Sequence, residues 1–426
     1  MVQSVQQQRS PHPHLSAWPA GPINLNQVSD FGALLRQLVG GLADSGGKTP
    51  AGAAGAPATQ GGEPLPWVSP AQSLRYLAVR ARPLVLPIVP ALARPAPAQA
   101  GSKAQPASPI VPGVVKPALV EPGTAPREAN QPMALESYPR PPDDNGRGVH
   151  WIPTTRQAPE VVDRFVEQAR ALGARWVTFL NEPGDLSGNE YLVRRLTAAG
   201  IMPVMRIYTD GGAPIGQDLT PLVRRYRALG VAYFQLYNEP NLRCENQGQD
   251  PDVNRYLARL IPAARQVIQA GGLPGIGALS PQGDVDDLTF LRQMLEGLKA
   301  SAPDVLARAW ISVHNYGADH LGVRQYDQVV RSVLGRSLPL IGTEGGIYPG
   351  GEVTEADQIR IVSDAYRYLP RREPYYFAYS LWVLANKAGG GQDERWEYQA
   401  LYRQEGPTAL ARALEGELRV GGNNLT

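Results

Sequence analysis

A (β/α)8 barrel preceded by a long Pro/Ala/Gly-rich, mostly disordered N-terminal arm is the α/β fold that this sequence predicts. Three observations carry the prediction. From Gly146 onward a helical pattern ending in glycine is followed, again and again, by a short apolar strand, as in "ARALGARWVTFL", "LTAAGIMPVMRI" and "YRALGVAYFQLY". The strands are continuously apolar rather than alternating, as parallel strands covered on both faces must be. Eight such units occupy about 275 residues, close to the roughly 250 of a typical barrel of this kind.

Residues 1–142 form the arm. They hold 24 of the 41 prolines, in runs such as "ARPAPAQAGSKAQPASP", and bury too little apolar surface to offset the entropy of ordering. Within the arm, "NQVSDFGALLRQLVGGLA" puts Phe31, Leu34, Leu35 and Leu38 on one helical face, with Ser29 or Asp30 as cap. A short helix near residues 28–42 is expected there, equally compatible with docking on the barrel or a partner and with no functional role. The barrel domain, 143–420, has strands expected near 148–152, 176–181, 202–208, 232–238, 275–280, 309–315, 338–343 and 375–383. Between the first two, Val162, Phe165, Ala169 and Leu172 recur at helical spacing and form one buried stripe. Gly173, Gly200 and Gly230 stand where a helix C-terminal glycine belongs. "GPTALARALEGEL" supplies the last helix. The competing fold is a doubly wound open sheet, but no glycine-rich phosphate loop follows the first strand.

Composition narrows the partners. The net charge of +2 gives no field for nucleic acid or an anionic membrane. Only five of the 41 basic residues are lysines, a bias that a GC-rich genome accounts for. The single cysteine, Cys244, excludes an internal disulfide and a cysteine-built zinc site. No secretory signal is visible at the N-terminus. The apolar run "LAVRARPLVLPIVPALA" is too interrupted for a membrane span. Location is left open between the cytoplasm and unconventional export, and a monomer without cofactor or metal is expected.

Barrel active sites lie at the C-terminal ends of the strands, and three carboxylates fall there. They are Glu182 in "FLNEPGD", Glu239 in "LYNEPN" and Glu344 in "IGTEGG", after strands two, four and seven. Cleavage of a glycoside with retention uses two such groups about 5–5.5 Å apart, one a general acid and one an ionised nucleophile.

At these residues, over roughly 146–415, the chain resembles the clan-A retaining glycoside hydrolases, which include the cellulase and β-xylosidase families. The resemblance implies that Glu239 is the acid/base, Asn238 binds the sugar 2-hydroxyl and Glu344 is the nucleophile. Glu182 ends the wrong strand for either role and is expected to cap the next helix. "WISVHNYG" resembles the clan's His-x-Tyr, which implies that Tyr316 orients the nucleophile, with His314 beside it. A tyrosine hydroxyl there would stabilise ionised Glu344. Trp382, ending strand eight, matches the clan's tryptophan floor for the sugar, whose flat apolar face suits the axial C–H groups of a pyranose. The clan's usual arginine after strand two is missing. Arg206 at the end of strand three is a candidate to pair with a strand-end carboxylate, and Asn181 stands in the arginine's place.

Other features carry less. Asp284, Asp286 and Asp287 are expected to open a helix rather than bind calcium. His150 fits the core as well as a sugar contact, and no Gly-x-Ser-x-Gly elbow is present. The expected activity is a retaining, cellulase-like O-glycoside hydrolase acting on an oligo- or polysaccharide by double displacement. A catalytically inactive glycan-binding barrel and a transglycosidase using the same residues are the alternatives.

Overall fold

The structure, a computed structural model, describes residues 131–422, with side chains through Glu417. The rest of the arm, including the helix expected near 28–42, lies outside the described residues. The eight predicted strands are present, each within a few residues of its expected place. They are β1 (Arg147–His150), β2 (Trp176–Asn181), β3 (Met202–Ile207), β4 (Tyr233–Leu236), β5 (Leu273–Leu279), β6 (Trp310–Tyr316), β7 (Leu340–Gly346) and β8 (Tyr376–Leu381). All pair in parallel and in order, and β1 closes the barrel against β8, with Val149 opposite both Val177 and Leu381.

The helices wrap the outside. The first, α1 (Pro159–Ala171), buries Val162, Phe165, Val166 and Ala169 along the predicted stripe. Gly173 and Gly200 follow α1 and α2 (Glu190–Ala198) with φ of 67° and 69°, the left-handed turn that glycine adopts without steric cost. The next two helices are α3 (Thr220–Arg227) and α4 (Val253–Gln269), and α4 borders the loop that follows β4. Among the described residues no helix is long and apolar enough to cross a membrane.

Inside the barrel the side chains stack in layers, as strand alternation dictates. Trp176, Val204, Tyr233, Trp310 and Phe377 fill the bottom. Above them a polar layer closes on itself, with the Ser312 hydroxyl 2.7 Å from that of Thr343 and 3.3 Å from Gln235 Oε1. The segment before β1, counted with the arm on composition, packs under the bottom layer. Tyr138 meets Phe377 edge-on and donates to the Ala309 carbonyl (2.9 Å). Asp144 accepts from Trp176 Nε1 (2.8 Å) and pairs with Arg372 (2.6 Å).

Alternation is broken where it matters. On β7 the register against β6 slips, so that Val313 faces Gly342 but His314 faces Glu344. Thr343 is the extra residue. With Thr343 turned inward, strict alternation would send Glu344 outward; the bulge turns it into the barrel as well. Glu344 therefore lies within β7, not after it as the sequence suggested. A second slip on β5, between Gly277 and Leu279, leaves Ala278 at φ 49°.

Candidate active site

Strands β3, β4, β6 and β7 deliver one cluster to the C-terminal mouth. Immediately after β4, Tyr237 and Glu239 take φ of 63° and 33°, a region non-glycine residues occupy at a cost and that is common at functional sites. The first turn sends the Tyr237 ring out against Tyr256. Glu239 is held by a hydrogen bond from its backbone N–H to the Ala278 carbonyl (2.9 Å), at the β5 bulge. Each carboxylate thus owes its aim to an irregularity of the barrel.

Both oxygens of Glu344 are engaged. Arg206 Nη1 donates to Oε1, and the Tyr316 hydroxyl donates to Oε2 at 2.7 Å. His314 Nδ1 lies 2.9 Å from Glu239 Oε1 and 3.7 Å from Glu344 Oε2. A carboxylate oxygen from each glutamate and the histidine nitrogen fall within 4.8 Å of one another. Burial pushes the Glu344 carboxyl up, but His314, Arg206, His150 and the Tyr316 hydroxyl together outweigh it and hold it at about 2. Burial likewise depresses His314, yet Glu344 and Glu239 overcome this and raise it above its ordinary value. Burial, then the Glu344 charge, pushes the Tyr316 phenol well up, so it stays a neutral donor. The same three groups are chemically capable of holding a divalent ion. The guanidinium charge and the occupied Glu344 oxygens suit them poorly to one.

The predicted site residues therefore converge. Arg206 and Tyr316 contact Glu344, and His314 lies between Glu344 and Glu239. Asn238 is buried beside Glu239, and Trp382 follows β8, packing at 4.4 Å on His150 and edge-on against Trp396. Four buried polar atoms here have no protein partner: Asn238 Oδ1, His150 Nε2, His314 Nε2 and Trp382 Nε1. Such groups cost free energy unless something polar meets them. His150 donates from Nδ1 to the Trp151 carbonyl (2.9 Å), and burial holds its pKa near 4. It is therefore neutral, with Nε2 free to accept.

Two sequence expectations are revised. Asn181 does not replace the clan arginine, because its amide donates to the Glu182 and Asp185 carbonyls and its oxygen accepts from Asn189. Arg206, reached from the next strand, makes the contact instead. Glu182 caps no helix. Its neighbour Asp185 organises that loop by accepting from the Ser187 and Gly188 amides and pairing with Arg156. Asp286 does cap its helix, accepting from the Thr289 amide (2.8 Å). Sequence reasoning missed Glu245, which accepts from Asn238 Nδ2 at 2.8 Å. No local pattern marks it, since its place depends on how the loop folds back. His150 had a usable signal in its position at the end of β1.

No protein-family model matches the chain, and no curated protein matches it. Among solved structures it is similar to a GH39 β-xylosidase from Caulobacter crescentus, at 18% identity over 67% of this chain and 73% of that one, with TM-score 0.49. It is similar also to a β-glucuronidase from Bacteroides uniformis (14% identity, 64% of this chain and 34% of that one, TM-score 0.46). A third is a GH128 endo-β-1,3-glucanase from Pseudomonas viridiflava (17% identity, 63% and 96%, TM-score 0.44). The chain thus spans about a third of the β-glucuronidase. At these identities the likeness concerns barrel topology, which the strand order above already establishes.

Proposed function

We propose that this chain is a retaining O-glycoside hydrolase acting on a β-linked glycan. The observation that carries the reading is the pair of carboxylates from β4 and β7 with oxygens within 4.8 Å, near the spacing of retaining enzymes and well short of the roughly 6.5–9.5 Å that inversion uses. Glu344, kept ionised by Arg206 and Tyr316, attacks the anomeric carbon as the bond to the leaving oxygen breaks. That oxygen takes a proton from Glu239, whose Oε1 is positioned by the 2.9 Å contact with His314 Nδ1. Water then attacks the glycosyl ester. Glu239 accepts the water's proton and Glu344 leaves as carboxylate, so the anomeric configuration is preserved. The unpartnered atoms of Asn238, His150, His314 and Trp382 supply donors and acceptors for sugar hydroxyls, and the Trp382 face supplies an apolar floor.

The test is hydrolysis of a panel of 4-nitrophenyl glycosides and β-glucans or xylans, with the anomer formed first read by proton NMR. Glu344→Gln is expected to lower turnover by on the order of 10⁴-fold or more. Wild-type rates in that variant, or an inverted first product, would refute the assignment.

A further inference from the structure

We propose that Glu245 is a positioning residue that fixes which end of the Asn238 amide meets the substrate, and thereby makes the site select for a sugar hydroxyl at that point. This rests on the hydrolase reading above and refines it. Glu245 lies in the loop between β4 and α4, on a single 3-10 turn, Cys244–Asn246. That turn is fastened independently of Glu245. Asn246 donates to the Pro240 and Leu242 carbonyls (2.8 and 2.7 Å), and Arg259 of α4 donates to Asn246 Oδ1 (3.1 Å) and the Gly212 carbonyl (2.5 Å). A carboxylate is not needed to hold the loop.

What Glu245 does is meet Asn238 Nδ2. Burial raises the Glu245 carboxyl overall, against the pull of the Asn238 amide and Arg206; the Oε1 that faces Asn238 accepts, so the NH2 end of the amide meets it. The amide is planar, and the oxygen is thereby turned elsewhere. Asn238 Oδ1 is buried and has no protein partner. It is an unpaired acceptor on the residue next to Glu239, and on this proposal a sugar O–H is what satisfies it. A ring position carrying hydrogen in place of hydroxyl leaves it unpaired, the situation in which polar sites discriminate most strongly. The resemblance places the sugar 2-hydroxyl at this residue.

Two measurements test the proposal in the full-length chain. In the first, Glu245→Ala and Glu245→Gln are compared with wild type on the 4-nitrophenyl glycoside that wild type cleaves best and on its 2-deoxy counterpart. Glu245→Ala is expected to lose about 10- to 50-fold in kcat/KM on the hydroxylated substrate and to stay within about twofold on the deoxy one. Glu245→Gln, whose carbonyl still accepts from Nδ2, is expected to recover most of the loss. Equal losses on both substrates in a folded variant would overturn the idea. In the second, the Asn238 side-chain amide is followed by ¹⁵N NMR without substrate, its signals assigned by their loss in Asn238→Ala. They are expected to shift in Glu245→Ala, and unchanged signals would overturn the coupling. If wild type cleaves no glycoside at all, it is the hydrolase reading that fails, and the amide spectrum still decides whether Glu245 holds Asn238.

Discussion

The two ends of the barrel are built from the same strands and could hardly differ more. At the bottom, Trp176, Tyr233, Trp310 and Phe377 pack ring against ring, with Trp310 edge-on to Tyr233 at 5.7 Å. Their polar atoms are paired: Trp310 Nε1 donates to the Leu273 carbonyl and the Tyr233 hydroxyl to that of Pro139. At the top, further along the same strands, Arg206 stands two residues beyond Val204 and His314 four beyond Trp310. Charges there are crowded, backbone dihedrals are unfavourable and several polar atoms lack protein partners. One end minimises free energy, whereas the other holds groups in an arrangement that costs stability and is useful only toward a ligand. The hydroxyl layer of Ser312, Thr343 and Gln235 separates them.

That division can be broken from either side. Of the changes that separate the two ends, Glu239→Ala at the top is expected to act most strongly. It should cost about 10²- to 10⁴-fold on alkyl or sugar leaving groups, far less on dinitrophenyl glycosides, and be rescued by azide. Steady-state rates across leaving groups check this, and a uniform loss would remove Glu239 from acid catalysis. Next is Trp310→Ala at the bottom, expected to cost about 3–5 kcal/mol of stability with kcat of the folded fraction unchanged. Denaturant unfolding and kinetics together test it; altered kcat at unchanged stability would mean that the ends are not separable.

Tyr316→Phe should be milder, about 10- to 100-fold in kcat/KM, through loss of a hydrogen bond to a charged group. Its sharper signature is in pH. Glu344 is held at about 2, so its carboxylate is ionised above that and loses its charge only as pH falls through it. Removing one stabilising donor raises this value, and the acid limb of the pH–rate profile should move toward neutrality. An unmoved limb would argue against the contact. Smallest is Glu182→Gln, expected to change kcat/KM by about twofold or less. A large loss would promote the other Asn-Glu-Pro copy to the chemistry.

Much of this was legible from the chain alone. Apolar runs, helical stripes and terminal glycines specify strands and helices because burial on both faces and left-handed turns are local demands on residue type. The position of Glu239, Glu344, Tyr316 and Trp382 near strand ends follows from that periodicity. The aim of the two carboxylates does not follow. Glu344 points inward because β7 carries one residue more than β6, and Glu239 is held by a carbonyl on an irregular β5. Glu182 and Glu239 share a tripeptide, yet only one of them reaches the partner from β7. Arg206 meets Glu344 across 138 residues of sequence, and Glu245 meets Asn238 only because a short turn folds back. Periodicity is a property of neighbours along the chain; register, bulges and contacts between distant strands are settled when the barrel closes, since only closure fixes how far each strand slides against the next.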